Sequence, residues 1–63
     1  MKYIAILVKG MDYWLWFEKE KAEQSDGVFN GTKGWGKGGA FPELTISSDL
    51  IIGRIYSETL QYK

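Results

Sequence analysis

Apolar and polar positions along this chain change their period twice, and each change marks a predicted element. From Lys2 to Lys9, Ile4, Ile6 and Val8 fall on one side and Tyr3, Ala5 and Leu7 on the other, the pattern of a β-strand covered on both faces. Gly10 interrupts it, and Lys9-Gly10-Met11-Asp12 has the length and the permissive glycine of a hairpin connection. Asp12 could cap a helix, and Glu18 to Gln24 is helix-forming in composition. At 100° per residue, however, Tyr13 to Phe17 and Ala22 scatter around the wheel. At 180°, Tyr13, Leu15 and Phe17 share one face and Trp14 and Trp16 the other, which predicts a second, antiparallel strand over 13–21.

Ser25-Asp26-Gly27 is a turn signal, and Val28-Phe29 opens a short third strand. Six of the eight glycines lie between Gly27 and Gly39, so 30–39 reads as a mobile, lysine-bearing loop or long hairpin tip. Strand character returns over 40–47 through Phe41, Leu44 and Ile46, with Pro42 indicating an edge or a strand entrance. Beyond it the period changes again. On a helical wheel Ile51, Ile52, Ile55, Tyr56, Thr59, Leu60 and Tyr62 gather on one arc, and Ser48 or Asp49 can supply the N-cap, so an amphipathic helix is predicted, weakened by Gly53 by about 1 kcal/mol. The expected fold is α+β: one domain over residues 1–63, a small curved antiparallel β-β-β-β sheet with a C-terminal helix across one face.

With 63 residues the chain buries only about 60% of the surface its unfolded form exposes. It has no Cys and no His, which removes disulfides and leaves a zinc site only carboxylates. Oligomerisation is the remaining way to gain stability, and ten aromatic rings in so small a body cannot all be interior. A homo-oligomer or a constitutive partner is expected, with Ile51, Ile55, Tyr56 and Tyr62 of the helix as the oligomer interface. Eight basic against eight acidic residues argue against a strong nonspecific polyanion binder. The balance is uneven along the chain, since 18–26 holds four acids and two lysines, whereas 27–41 holds Lys33 and Lys37 and no acid. No apolar run is long enough to span a membrane, and the first residues do not read as a secretory signal, so a cytoplasmic protein is expected.

Candidate chemistry is sparse. The carboxylates Asp12, Glu18, Glu20, Glu23, Asp26, Glu43, Asp49 and Glu58 lie mostly in turns or in the alternating Glu-Lys run, and no catalytic, metal or cofactor site is expected. Gly34, Gly36 and Gly39 match neither a phosphate-binding loop nor a dinucleotide fingerprint, because the required lysine and βαβ context are missing. Trp35 between Lys33 and Lys37 is the most suggestive feature. An indole there can stack on a base while the ammonium groups meet phosphates, can anchor a protein partner, or can fold back as a lid over the core. Trp14 and Trp16 project from one face of their strand, opposite Tyr13, Leu15 and Phe17, and since one helix cannot cover both faces, one aromatic face is left for self-association or a partner.

Three resemblances accompany these features. Val28-Phe29-Asn30-Gly31-Thr32-Lys33-Gly34-Trp35-Gly36 looks like the Trp-Phe-Asn-x-x-Lys-Gly-Phe/Tyr-Gly stretch of cold-shock domains, departing at Val28 and at the following Lys37. Met1 to Lys9, together with Phe41-Pro42-Glu43-Leu44 and Ser47-Ser48-Asp49-Leu50, resembles the HicB-type antitoxin domain, without its Pro-Gly-Cys and without a counterpart to 11–39. That resemblance implies a small module that neutralises a toxin by contact. The β-β-β-β-α order is similar to the Whirly and transcriptional-cofactor type of single-strand-binding fold, which dimerises through its helix. The function expected is a non-enzymatic, stoichiometric interaction with a partner protein, as a small inhibitor or antitoxin-like antagonist, a description that phage-encoded antagonists of host systems also fit. The alternative is a single-stranded nucleic-acid binder using Trp35, Lys33 and Lys37, joined by Lys19 and Lys21.

Overall fold

A computed structural model describes residues 2–59. Six strands form one antiparallel sheet: β1 (Tyr3–Val8), β2 (Leu15–Glu18), β3 (Ala22–Ser25), β4 (Val28–Gly36), β5 (Gly39–Ser47) and β6 (Ile51–Ser57). Two 3-10 turns, Lys19–Lys21 and Ser48–Leu50, are the only helical pieces among the described residues. The sheet runs β3-β4-β2-β1-β6, with β5 on the far side of β4, and it curls into a half-barrel. The fold is therefore nearly all-β, and the expected α+β class with a C-terminal helix is wrong.

The misreading has a local cause. β1 and β6 pair regularly from Tyr3↔Ser57 to Leu7↔Gly53, then slip by one residue to Val8↔Ile51, leaving Ile52 as the extra residue of a β-bulge. The bulge switches which residues face the core, so Ile51 points inward, Gly53 and Ile55 outward, and Arg54 and Tyr56 inward. Apolar residues at 51, 52, 55 and 56 then imitate helical spacing on a strand. β-branched Ile51, Ile52 and Ile55 favour the extended form, and Gly53 weakens the helical alternative.

The second predicted strand also divides. The Lys19–Lys21 turn ends β2 after four residues and redirects the chain as β3, which moves from the side of β1 to pair with the first half of β4. This corner bends the sheet. Asp26 (φ 51°) and Gly27 (φ 73°) make a two-residue hairpin between β3 and β4, the left-handed pair that an Asp-Gly sequence favours.

Residues 30–39, expected as a loop or hairpin tip, are instead mostly paired strand. β4 runs to Gly36, Lys37 and Gly38 make the turn, and β5 begins at Gly39. The glycines are there for room. A β-carbon at Gly31 would stand 2.5 Å from two ring atoms of Phe17, and one at Gly34 would stand 2.6 Å from the same ring and closer still to Phe41. Phe17 thus lies directly on the β4 backbone, edge-on to Phe29 (5.2 Å between centroids) and Phe41 (5.6 Å). Around it Ile4, Ile6, Val8, Leu15, Phe29 and Ile51 complete the concave core, flanked by Tyr13, Ala22, Phe41, Leu44 and Ile46. Across the mouth of the half-barrel Arg54 Nε donates to Gln24 Oε1 at 2.8 Å, linking β6 to β3.

Candidate functional site: the outer tryptophan face

The outer, convex face of the sheet carries the tryptophans. Residues directly opposite in an antiparallel ladder share a face. Ala5 faces Ile55 on one side and Trp16 on the other, Trp16 faces Trp35, and Trp35 faces Ala40. One apolar row, Ile55, Ala5, Trp16, Trp35, Ala40, therefore crosses five strands on the side away from Phe17.

Trp14 forms a second row beside it. Its ring reaches from the entrance of β2 past Leu7 to β6, where a β-carbon on Gly53 would stand 2.8 Å from Trp14 Cη2. Gly53 is the seat for that indole. Ala5 is fully buried and Trp16 is 6% exposed although neither belongs to the concave core cluster. Among the described residues no helix or second sheet layer covers this face. Trp14 and Trp35 remain half-buried, and Ile52 (61%) and Ile55 (41%) are exposed.

Towards β5 the row opens into a groove of about 440 Å³, lined by Lys33, Trp35, Ala40, Phe41 and Pro42 and almost wholly apolar. Lys33 adopts a positive φ of 55°, and the inward-facing set of β4 changes parity around it, from Phe29 and Gly31 to Gly34 and Gly36. Pro42 does the corresponding work on β5, where inward Phe41 and Leu44 are three residues apart. Lys33 and Trp35 line the groove together.

The structure brings Trp14, Trp16, Trp35 and Ile55 together on one face and sets Lys33 at its margin. Lys37 is exposed at the tip of the β4–β5 turn. Lys19 and Lys21 stay on the 3-10 turn, Lys19 Nζ lying 5.6 Å from the Tyr56 ring on the concave side and Lys21 3.9 Å from Glu18. Of the four lysines expected to serve a nucleic-acid site, Lys33 alone lines the Trp35 groove.

The expected oligomer interface does not survive as one surface. Ile51 is 8% exposed and part of the core, Ile55 lies outside, Tyr56 lies at the concave rim, and Tyr62 is outside the described residues. Sequence reading missed Ala5, Gly53, Ala40 and Pro42 as parts of the face. The signal available was Ala5, a small residue opposite a tryptophan. Among the described residues no three or more carboxylates gather as a metal site, and no helix is long and apolar enough to cross a membrane. No family model, curated protein or solved structure matches the chain. The likeness to HicB-type antitoxins and cold-shock domains thus stays a likeness of short segments, and the β-β-β-β-α order behind the Whirly-type likeness is not the order of the described residues.

Proposed function

We propose that this chain works without catalysis, by docking its outer tryptophan face on a partner protein. The observation that carries the reading is the continuous row Ile55, Ala5, Trp16, Trp35, Ala40, open at the Trp35 groove and, among the described residues, without a second layer over it. A half-buried indole on a rigid strand loses little conformational freedom on binding and adds a large contact area, the character of an interface anchor. Trp16, its buried neighbour in the row, extends the apolar centre, and Lys33 and Lys37 supply a polar rim at one end. This matches the anatomy of a protein interface, apolar in the centre and charged at the edge. The partner surface suited to it is apolar, with an acidic margin facing Lys33.

The nucleic-acid reading is favoured by one observation, that Lys33 and Trp35 line the same groove. Against it stand the zero net charge and the dispersal of Lys19, Lys21 and Lys37. Titrating the protein's tryptophan fluorescence with a mixed-sequence single-stranded oligonucleotide, at low and at moderate salt, separates the two. The protein-docking reading expects no saturable change. Saturable quenching that weakens with salt, with a log-log slope of about −0.7 per phosphate neutralised, and that disappears in Trp35→Ala, would replace it with the nucleic-acid reading.

A further inference from the structure

Among the described residues β3, β5 and β6 each keep an unpaired edge, and the three are protected very differently: β3 is only four residues long and carries Glu23. β5 carries Pro42, which has no N–H to offer an incoming strand, and Glu43, Thr45 and Ser47 on the same edge strand. β6 has no proline and one charge, and that charge, Arg54, is turned across the mouth to Gln24. Three of the large apolar side chains left exposed, Ile52, Ile55 and Tyr56, are on β6. An open edge with β-branched and aromatic side chains and no outward charge is a template for another strand.

We propose that the occupant of this edge is a second copy of the chain, its β6 antiparallel to the first, with Ile55 on the two-fold axis. The bulge sets the register. It removes Ile51 and Ile52 from the regular ladder and leaves Gly53–Ser57, paired without interruption to β1, as the flat part of the strand, and the middle of that stretch is Ile55. Charge points the same way. Centring the pair on Arg54 would place two guanidinium-bearing side chains directly opposite, a destabilising arrangement. Centring it on Ile55 sets each Arg54 opposite Tyr56 of the second copy on the inner face, and Ile55 opposite itself on the outer face.

The outer apolar row ends at Ile55, so this pairing joins the rows of two copies into one surface running from Trp35 to Trp35. A self-complementary edge closes on itself as a dimer and leaves no free β6 to propagate a fibre. It also supplies the stabilisation that a chain of 63 residues without Cys lacks. The proposal goes beyond the docking of a partner protein, because a monomer would keep the Trp35 groove intact.

Sedimentation equilibrium from micromolar to millimolar concentration should show a monomer–dimer equilibrium. Ile55→Lys and Ile55→Glu, each checked for native β-sheet signal by circular dichroism, should be monomeric alone and dimeric when mixed in equal amounts, since only a residue facing itself is rescued by its opposite. Because the chain has no cysteine, Ile55→Cys gives an independent test that needs no charged substitution. Under mild oxidation it should form a disulfide-linked dimer at least tenfold faster than the more exposed Ile52→Cys. A wild-type monomer throughout, a dimeric Ile55→Lys, mixed variants that fail to associate, or equal oxidation at positions 52 and 55 would each overturn the proposal.

Discussion

Glycine in β4 and β6 acts here through the space it leaves. Gly31 and Gly34 let Phe17 rest on the β4 backbone, and Gly53 lets Trp14 cross to β6. Gly34→Ala should therefore destabilise the fold by about 1–3 kcal/mol through overpacking against Phe17 and Phe41, read as a lower urea midpoint with an unchanged slope. Gly27→Ala meets no neighbour within 4 Å, but its φ of 73° costs an L-residue about 1 kcal/mol. Gly53→Val is different again, since it should lift Trp14 off its seat. A red-shifted tryptophan emission with the sheet signal retained is the expected result, and an unchanged spectrum would show that Trp14 does not depend on that gap. In the sequence these glycines read as flexibility, because composition reveals where a side chain is missing and not which ring occupies the gap.

Strands whose alternation is uninterrupted were legible. β1 is foreseen to within a residue at each end, and the alternation of Leu15, Trp16 and Phe17 separates Trp16 from its two neighbours without telling which face is the core. What escaped are the places where alternation is broken by geometry: the Lys19–Lys21 corner, the kink at Lys33 and Pro42, and the bulge at Ile52. Each inserts or turns one or two residues, and a period-2 pattern with a phase shift is indistinguishable from a helical pattern over one or two turns. The C-terminal helix arose in this way, and with it the expected interface of Ile51, Ile55 and Tyr56. Amide hydrogen exchange should show the consequence. β1, paired on both sides and holding the fully buried Ala5 and Ile6, should be protected most strongly, and β5 less. Slow exchange along β6 should appear at concentrations where the dimer forms and fade on dilution.

Taken together, the strands leave a 63-residue chain with an aliphatic and phenylalanine core on its concave side and tryptophans on its convex side. The concave side is closed by Phe17 and bridged by Arg54 and Gln24. Among the described residues its outer counterpart has no counter-layer, the asymmetry on which the docking proposal rests. The candidate site was half legible in the sequence: Trp14, Trp16 and Trp35 were nominated, but only the Trp16↔Trp35 pairing joins them into one face. That pairing depends on β4 arriving beside β2 from residues some twenty positions apart, a long-range fact that no local pattern contains.

The docking of this face on a partner protein is tested most directly by comparing three immobilised proteins, the wild type, Trp35→Ala and Lys33→Gln, in extracts of the source cells washed at high salt. One protein species should be held by the wild type and by Lys33→Gln, resist the salt wash, and be lost from a folded Trp35→Ala. Retention of that species by Trp35→Ala, or recovery only of nucleic acid that the salt wash releases, would contradict the account.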